Sequence, residues 1–551
     1  MKHAASPAAR SSIDAHAELV DALLDPGCYP HPVAHVEHIE THISDVLLTG
    51  RHAYKLKKPL ALGFLDFSTL AKRHFFCCEE LRLNRRLAPE LYEDVVAITG
   101  TPAHPTVQGQ GEPIEYALRM RQFDQSGLLE RMLARGELTG AHVDEIAASV
   151  AGFHAALPAA TPDSGFGSPE RIMQPALQNF EQLLPLLTGS DRTLLDELHA
   201  WTRDQHAALA PLFDQRVREG CVRECHGDLH LGNIALIDGR VRIFDCIEFS
   251  ADLRWIDVIS EAAFLAMDLL QHRRTDLAFR FLNRYLELTG DYAGVRLLRY
   301  YMVYRALVRA KVAAMRAAQS DVPPAERQPL QSKCHARLAL AQQLVTSEQP
   351  VLLIMHGLSG SGKTALSQTV LQAIGAIRVR SDIERKRLHG IGEATRSDSA
   401  LGGGIYTAAA GAATYQRIAR VAEHAIEAGF PVVVDAAFLE RARRDQFRNL
   451  AATRGCPFAI LHAEAPDAVL RARIAQRASA ALDASEATTA VLDRQIATQD
   501  PLSAYELAHC VAFSTDRSDD GDVARRAVEL LERLVPSARA AGGPQPRDGL
   551  I

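Results

Sequence analysis

At 551 residues, 47% hydrophobic and 23% charged, the chain has ordinary globular composition and length for three or four domain-sized units. Its net charge of −6 excludes any general electrostatic attraction to nucleic acid or an anionic membrane, so neither is expected as a partner. The nine cysteines are scattered without a C-x-x-C pair and sit mostly in apolar runs, as small buried hydrophobes in a reducing compartment do. The opening MKHAASPAARSSIDAHAELV has no apolar core of signal-peptide length, and no run approaches the ~18 residues of a membrane span, so a cytoplasmic chain is expected.

Residues 1–30 read as an N-terminal extension with one helix, apolar at Ile13, Ala17, Val20, Leu23 and Leu24 and ended by Pro26 and Gly27. From Val36 the pattern becomes strand-like: VEHIETHIS, DVLLTG, a turn at Gly50 and Arg51, then HAYKLKK. Side chains alternate along a strand, so Ala53, Lys55 and Lys57 share one face of the last of these. FSTLAKRHFFCCEELRLNRRL predicts a helix over 67–87 with Ser68 as N-cap and Glu79 and Glu80 near its middle. VVAITG and IEYALRMRQF add strands, which makes 31–125 a small strand-rich lobe with one principal helix. Amphipathic helical segments then take over, around 128–135, 141–157, 170–187 and 191–213, so 126–318 reads as a helical lobe.

Within that lobe, Glu224-Cys-His226-Gly227-Asp228-Leu-His230-Leu-Gly232-Asn233 precedes IALIDGRVRIFDCIEF. Asp238 and Gly239 predict a two-residue type I′ hairpin that sets Ile237 opposite Arg240 and Asn233 opposite Phe244. Asn233 and Asp245 are thereby side by side at the open end, with Asp228 five residues earlier on the same loop. Such a set supplies what phosphoryl transfer needs: oxygen ligands for Mg²⁺ and a carboxylate to orient an acceptor hydroxyl. Cys221 and Cys225 with His226 and His230 lack zinc spacing. Asp252, Asp257 and Glu261 read as caps and loop braces, and Arg305, Arg309 and Lys311 as a solvated or interdomain helix face.

Residues 319–349 read as a linker, SDVPPAERQP, and a connecting helix. In Pro350 to Thr364, PVLLIMHGLSGSGKT, a short apolar strand runs into G-x-x-x-x-G-K-[ST], the phosphate-binding P-loop. Gly357, Ser359, Gly360, Ser361 and Gly362 turn backbone N–H groups onto a polyphosphate, Lys363 reaches its β and γ groups, and the Thr364 hydroxyl can ligate Mg²⁺. Strands and helices then alternate through 350–537, which predicts an α/β domain with a parallel sheet and a site at the carboxyl ends of its strands. Asp382 and Asp435 stand at two such ends, the second as an acid near Mg²⁺ and the first where an acceptor hydroxyl would arrive. Arg473 and Arg477, four apart on one helix, are spaced to clamp phosphates. The tail 538–551 is expected to be disordered.

H-G-D-x-H-x-x-N followed by a hairpin and Asp resembles the aminoglycoside phosphotransferase and choline kinase branch of the protein-kinase-like fold, over roughly 35–315. The resemblance implies Asp228 as catalytic base, Asn233 and Asp245 as Mg²⁺ ligands and His226 as a loop brace. It also implies Lys55 as the phosphate-binding lysine paired with Glu80, with Lys57 and Glu79 as open alternatives. Two departures stand out: no G-x-G-x-x-G precedes Lys55, and Cys-Ile follows Asp245. Residues 350–515 resemble small P-loop kinases such as gluconate kinase, chloramphenicol phosphotransferase and phage polynucleotide kinase. That resemblance makes Asp382 the acceptor base and Arg473 and Arg477 lid arginines.

The order of the halves resembles bacterial fused proteins described as bifunctional aminoglycoside phosphotransferase / ATP-binding protein. The expectation is a two-domain enzyme, an α+β bilobal kinase-like fold followed by an α/β P-loop NTPase fold. It would use ATP and Mg²⁺ to phosphorylate hydroxyls of small molecules at two centres. The alternatives are one catalytic domain gated by a nucleotide-binding partner domain, or a kinase acting on protein or RNA.

Overall fold

The computed structural model describes residues 7–62, 65–319, 322–346, 350–393, 395–397, 399, 403–480 and 486–535. The expected tail from residue 538 lies outside them. No helix among the described residues is long and apolar enough to cross a membrane. The chain divides into two compact units, the first comprising the residues through Thr139, Phe153–Arg171 and Leu212–Glu261. The second joins Gly140–Gly152, Ile172–Pro211 and the described residues from Ala262 onward.

The first unit opens with α1 (Pro7–Ala22), β1 (Glu37–Glu40), β2 (Ser44–Leu48), β3 (His52–Lys57) and a small hairpin, β4 (Ala61–Leu62) with β5 (Leu65–Asp66). There follow α2 (Leu70–Asn84), β6 (Tyr92–Thr101), β7 (His104–Val107) and β8 (Pro113–Arg121). Six of these strands make an antiparallel sheet in the order β1-β2-β3-β8-β6-β7. Leu19, Val20 and Leu23, at the end of α1, pack with Leu47, Tyr54, Leu56, Val96 and Ile98, so the N-terminal helix shares this lobe's core. Thr69, not Ser68, caps α2: its hydroxyl oxygen accepts from the Lys72 N–H at 3.3 Å. Ser68 is engaged instead by Asp66, to which its hydroxyl donates at 2.6 Å.

Helices follow: α3 (Leu129–Ala134), α4 (Gly140–Ala156), α5 (Pro169–Leu183) and α6 (Gly189–Arg218). Then come β9 (Val222–Glu224), β10 (Ile234–Ile237), β11 (Arg240–Ile243), α7 (Ala251–Arg254) and β12 (Trp255–Asp257). The β10–β11 hairpin pairs Ile237 with Arg240 and Ile234 with Ile243, and its turn residues Asp238 and Gly239 have φ of +52° and +73°. These are the positive angles a type I′ turn demands. β12 pairs with β9, and at its end the Asp257 carboxylate receives Arg216 of α6 in two bonds of 2.6 and 2.7 Å. Both partners are buried, Arg216 to 1% exposure.

The second unit carries α8 (Val258–Gln271) from Ala262, α9 (Thr275–Thr289), α10 (Val295–Ala317) and α11 (Pro324–Val345). Arg305 of α10 does not lie on a solvated face: it is buried over the rings of Phe264 and Tyr304, at 4.7 and 5.2 Å. Alternating elements follow: β13 (Leu352–His356), α12 (Lys363–Ile374), β14 (Ile377–Arg380), α13 (Ser381–Leu388), α14 (Ala408–Glu427), β15 (Val432–Asp435) and α15 (Arg441–Thr453). The last are β16 (Phe458–Glu464), α16 (Asp467–Ala480), α17 (Thr489–Thr498), α18 (Ala504–Ala508), β17 (Cys510–Ser514) and α19 (Asp520–Leu534). The five strands are parallel in the order β14-β15-β13-β16-β17. All five residues of the central β13 are buried, which explains the apolar run from Leu352 to Met355, and the loop beyond it opens at the carboxyl end of the sheet. A kinase-like α+β region is therefore followed by a P-loop NTPase fold.

Asp257→Ala leaves the Arg216 guanidinium buried without a counter-charge and should destabilise the first unit by about 3–5 kcal/mol. The check is urea unfolding of the full chain followed by tryptophan fluorescence, since Trp255 sits two residues from the change. An unchanged midpoint would show that the pair contributes nothing.

Candidate functional site

In the first unit the decisive geometry starts on β3. Lys55 and Lys57 point to the same side of the strand and meet one carboxylate, Glu80 of α2, at 2.7 and 2.6 Å. Each lysine has a second partner. Lys55 donates to Asp245 at 2.5 Å, and Lys57 bonds Glu248. Glu79 faces elsewhere, toward Arg82 at 2.6 Å and Arg254 at 3.0 Å. Burial works against the Lys55 charge, yet Asp245, Glu80 and Glu248 outweigh it and hold the ammonium well above the usual lysine range. Burial likewise opposes the Glu80 charge, and the two lysines overcome it, keeping this carboxyl below its ordinary value. Burial prevails at Glu248, which is pushed up despite Lys57.

The loop from His226 to Asn233 is held from behind. Both Glu261 oxygens are occupied: Oε1 accepts from the His226 N–H at 3.0 Å, and Oε2 from the Gly227 N–H at 2.6 Å. His154 approaches Oε1 at 3.1 Å. His154, Cys225 and Glu261 thus form a buried cluster within 4.8 Å of one another, but its carboxylate is already committed to the loop backbone. His226 bridges the loop and the hairpin, with Nε2 2.8 Å from the Phe244 carbonyl and Nδ1 3.3 Å from the Asp228 N–H. That pattern requires the neutral ring protonated at Nε2, and burial lowers its pKa accordingly. At the loop's far end the Asn233 amide donates to the Asp228 carbonyl at 3.0 Å and to its Oδ2 at 3.1 Å. Its Nδ2 is spent in this way, and Oδ1 is the atom left to meet a cation.

Asp245 sits beyond the hairpin with φ of +64°, a left-handed conformation costly for a non-glycine residue. The strain is held from both sides: its N–H donates to the Tyr92 hydroxyl at 3.0 Å, and the next N–H, of Cys246, donates to Asn84 Oδ1 at 2.9 Å. Asn233 and Asp245 could hold a cation, and a pair of oxygen donors of this kind suits a hard ion such as Mg²⁺.

In the second unit the loop after β13 wraps tightly. A Cβ on Gly357, at φ +146°, would stand 2.4 Å from the Ala463 carbonyl, and one on Gly360, at φ +84°, 2.7 Å from that of Leu470. Glycine is therefore required at both. The Lys363 ammonium donates to the Gly357 and Leu358 carbonyls at 2.8 and 2.7 Å. Burial lowers its pKa to about 8, against the pull of Asp435 and Asp382 and with help from the Arg477 charge. Arg473 holds the loop to the end of β17, donating to the Gly360 carbonyl at 3.3 Å and to Thr515 Oγ1 and O at 2.9 Å each. Ser359 N–H donates to Gln495 of α17 at 2.8 Å. One cavity of about 800 Å³ is lined by Lys363, Thr364, Asp382, Asp435, Arg473 and Arg477. Ser361 and the loop's first glycine border a neighbouring cavity of about 610 Å³.

In the first unit Lys55 meets Glu80 and Asp245, and Asp228 meets Asn233, while Glu79 faces away; in the second, Lys363, Thr364, Asp382, Asp435, Arg473 and Arg477 line one cavity and Gly357 and Ser361 border the next. Within the H-G-D-x-H-x-x-N motif His230 gained no role, yet its Nε2 stands 3.3 Å from Asp228 Oδ2; Glu248, Tyr92, Asn84, Thr515 and Gln495 went unread in the sequence. Glu248 left a signal, an acid three residues after Asp245; the others bond through a hydroxyl or an amide that composition does not distinguish.

Residues 80–298 match the family model described as "Phosphotransferase enzyme family", and residues 352–502 match one described as "AAA domain". An uncharacterized protein of Mycobacterium tuberculosis, Rv2004c, is 31% identical over 477 residues, covering 85% of this chain and 92% of that protein. The uncharacterized protein Mb2027c of Mycobacterium bovis aligns with the same figures. Among solved structures, a gluconokinase from Sinorhizobium meliloti is 22% identical and covers 34% of this chain and 95% of its own, with a TM-score of 0.24. A choline/ethanolamine kinase family protein from Mesorhizobium loti is 12% identical and covers 60% and 99%, with a TM-score of 0.36. The chain belongs to the family of these mycobacterial proteins and is a phosphotransferase in which a domain of the phosphotransferase enzyme family is followed by a P-loop domain that matches the AAA model.

Proposed function

We propose that the chain transfers the γ-phosphoryl group of ATP to hydroxyl groups of small molecules at two separate centres. The observation that carries this reading is a recurrence: in each unit a lysine, a pair of oxygen ligands and a carboxylate set for an acceptor belong to one constellation. In the first unit these are Lys55, Asn233 with Asp245, and Asp228; in the second, Lys363, Thr364 with Asp435, and Asp382.

At the first centre Lys55, oriented by Glu80, meets the phosphates, while Asp228 accepts the proton of the incoming hydroxyl as its oxygen bonds to phosphorus and the bridging bond to the β-phosphate breaks. Asn233 and His230 fix the rotamer of Asp228 for that role, and His226 braces the loop. At the second centre the backbone N–H groups of Gly357, Ser359, Gly360, Ser361 and Gly362 cradle the phosphates. Lys363, Arg473 and Arg477 carry positive charge to them, and Asp382 takes the acceptor proton. Mg²⁺ held by Asn233 and Asp245, or by Thr364 and Asp435, would neutralise phosphate charge at its own centre.

Wild-type protein, Asp228→Asn and Lys363→Ala are incubated with γ-labelled ATP, Mg²⁺ and a small-molecule extract, and the products separated. Two labelled compounds are expected, each lost in one variant with a fall of about 10²–10⁴ in its rate of formation. Loss of one compound in both variants would replace this reading with a catalytic centre gated by a nucleotide-binding partner. Label on protein or RNA would replace it with a macromolecular kinase.

The lowered pKa of Lys363 gives a pH dependence. ATP binds the ammonium form, so affinity at the second centre should fall as pH rises through about 8. From pH 7 to pH 9 the protonated fraction drops from about nine-tenths to about one-tenth, an approximately tenfold rise in Kd. The measurement is binding of a fluorescent ATP analogue, with the part abolished by Lys363→Ala assigned to this centre. A flat profile would show that Lys363 stays charged across the range.

A further inference from the structure

β14 is an edge strand of the parallel sheet, and a parallel edge leaves every second N–H and C=O without a ladder partner. Ile377 N–H is used inside the sheet, donating to the Pro431 carbonyl. The outward groups on either side of it are the Ala376 carbonyl and the Arg378 N–H. Both are taken by a single side chain, Asn283 of α9: its Nδ2 donates to the Ala376 carbonyl at 2.8 Å, and its Oδ1 accepts the Arg378 N–H at 2.5 Å. The amide acts as one rung of a missing strand.

One turn further along α9, Glu287 Oε1 accepts from Arg378 Nη2 at 2.7 Å and from Nε at 3.1 Å. Glu287 is 3% exposed and Arg378 4%, so the pair is deeply buried. The remaining nitrogen, Nη1, reaches the P-loop helix, donating to Ser367 Oγ at 3.1 Å and lying 3.4 Å from the Thr364 carbonyl. Ser367 Oγ in turn stands 3.2 Å from Asp435 Oδ2. Arg380 is poised between the same two acids, 4.0 Å from Glu287 and 3.8 Å from Asp435. Glu287 thus shares Arg380 with Asp435 and holds Arg378, whose only link to Asp435 among the described contacts runs through Ser367 Oγ.

We propose that Asn283 and Glu287 are positioning residues of the P-loop centre: from α9, upstream of the linker, they fix Arg378 and leave Asp435 available for a divalent cation. The inference rests on the reading of Thr364 and Asp435 as Mg²⁺ ligands. Without the Glu287 charge, Arg378 and Arg380 turn to Asp435 and compete with the cation, while the phosphate-binding backbone of the loop is left in place. The signature is a changed Mg²⁺ requirement with little change in metal-free nucleotide binding.

The experiment titrates Mg²⁺ against the full chain in the presence of a fluorescent ATP analogue, following the Lys363-dependent part of the signal, with thermal unfolding in parallel. Glu287→Gln should raise the Mg²⁺ concentration at half-effect about tenfold, the equivalent of about 1.4 kcal/mol. Metal-free binding of the analogue should change less than about twofold, since the loop glycines are untouched. Glu287→Asp, which keeps the charge, should restore most of the shift, and it serves as the folded test if the glutamine variant does not fold. Arg280→Ala is the control: it lies on the same helix, and its guanidinium is engaged by Asp144 at 2.7 and 2.9 Å rather than by Glu287, so it should lower the unfolding midpoint alone. An unshifted Mg²⁺ midpoint in folded Glu287→Gln, or an equal shift in Arg280→Ala, overturns the proposal. Absence of any Lys363-dependent signal in the wild type would instead overturn the reading of the P-loop centre on which it rests.

Discussion

A lysine that is to meet a polyphosphate has to be kept in place in a site partly closed to water, where its charge is unfavourable alone. On the function proposed above, this chain meets that constraint twice and in opposite ways. Lys55 is surrounded by carboxylates, and Asp245 and Glu80 raise its proton affinity beyond any physiological pH. Lys363 rests on two backbone carbonyls, which accept its hydrogens without supplying a full counter-charge, and its proton is held loosely. The first arrangement favours a constant charge and needs Glu80 to be kept ionised, which explains a second lysine, Lys57, on the same carboxylate. The second favours a charge completed by the ligand itself.

The same contrast governs how each centre is built. Around Lys55, rigidity comes from side chains drawn from distant stretches: Glu80 from α2, Asp245 from beyond the hairpin, Glu261 from the start of α8. Around Lys363 it comes from the backbone, where Gly357 and Gly360 pass so close to the Ala463 and Leu470 carbonyls that no side chain fits. A site of the first kind tolerates irregular local sequence and depends on tertiary pairing. A site of the second kind is written contiguously.

That difference decides what was legible in the sequence. The P-loop and the strand before it could be read from fifteen consecutive residues, because local backbone geometry dictates the glycines. The Asp238-Gly239 hairpin was equally explicit, and its register puts Asn233 opposite Phe244, where the Phe244 N–H donates to the Asn233 carbonyl. Lys55 against Lys57 and Glu80 against Glu79 could not be separated by alternation or helical spacing, since both lysines lie on one strand face and both acids on one helix turn. Packing separates the acids: Glu79 rotates toward the Arg82 and Arg254 guanidiniums and Glu80 toward β3. Ser68 is not the cap because the helix begins one residue later than the pattern suggests, at Leu70, where Thr69 accepts the Lys72 N–H; the Ser68 hydroxyl donates to Asp66 instead. Arg305 looked like surface because Arg309 and Lys311 follow it on the helix, whereas the adjacent Tyr304 ring and Phe264 of α8 cover it.

The least legible feature is where one structural unit ends. Polar, proline-bearing sequence around 320–329 marks a break in composition, and the match to the phosphotransferase family ends at 298, before it. Physical packing follows neither. Helix α9 lies inside the family match, yet its Phe279 ring closes on the C-cap glycine of α12, Gly375, and Asn283 and Glu287 satisfy the edge and the buried arginine of β14. A parallel sheet with an unprotected edge strand exposes hydrogen-bonding groups that recruit other chains, so every such domain needs something along that edge. Here the cover is a helix from upstream sequence. It carries an acid that the buried Arg378 cannot do without, and the P-loop sheet therefore depends for its finished edge on residues that a division at the linker would remove.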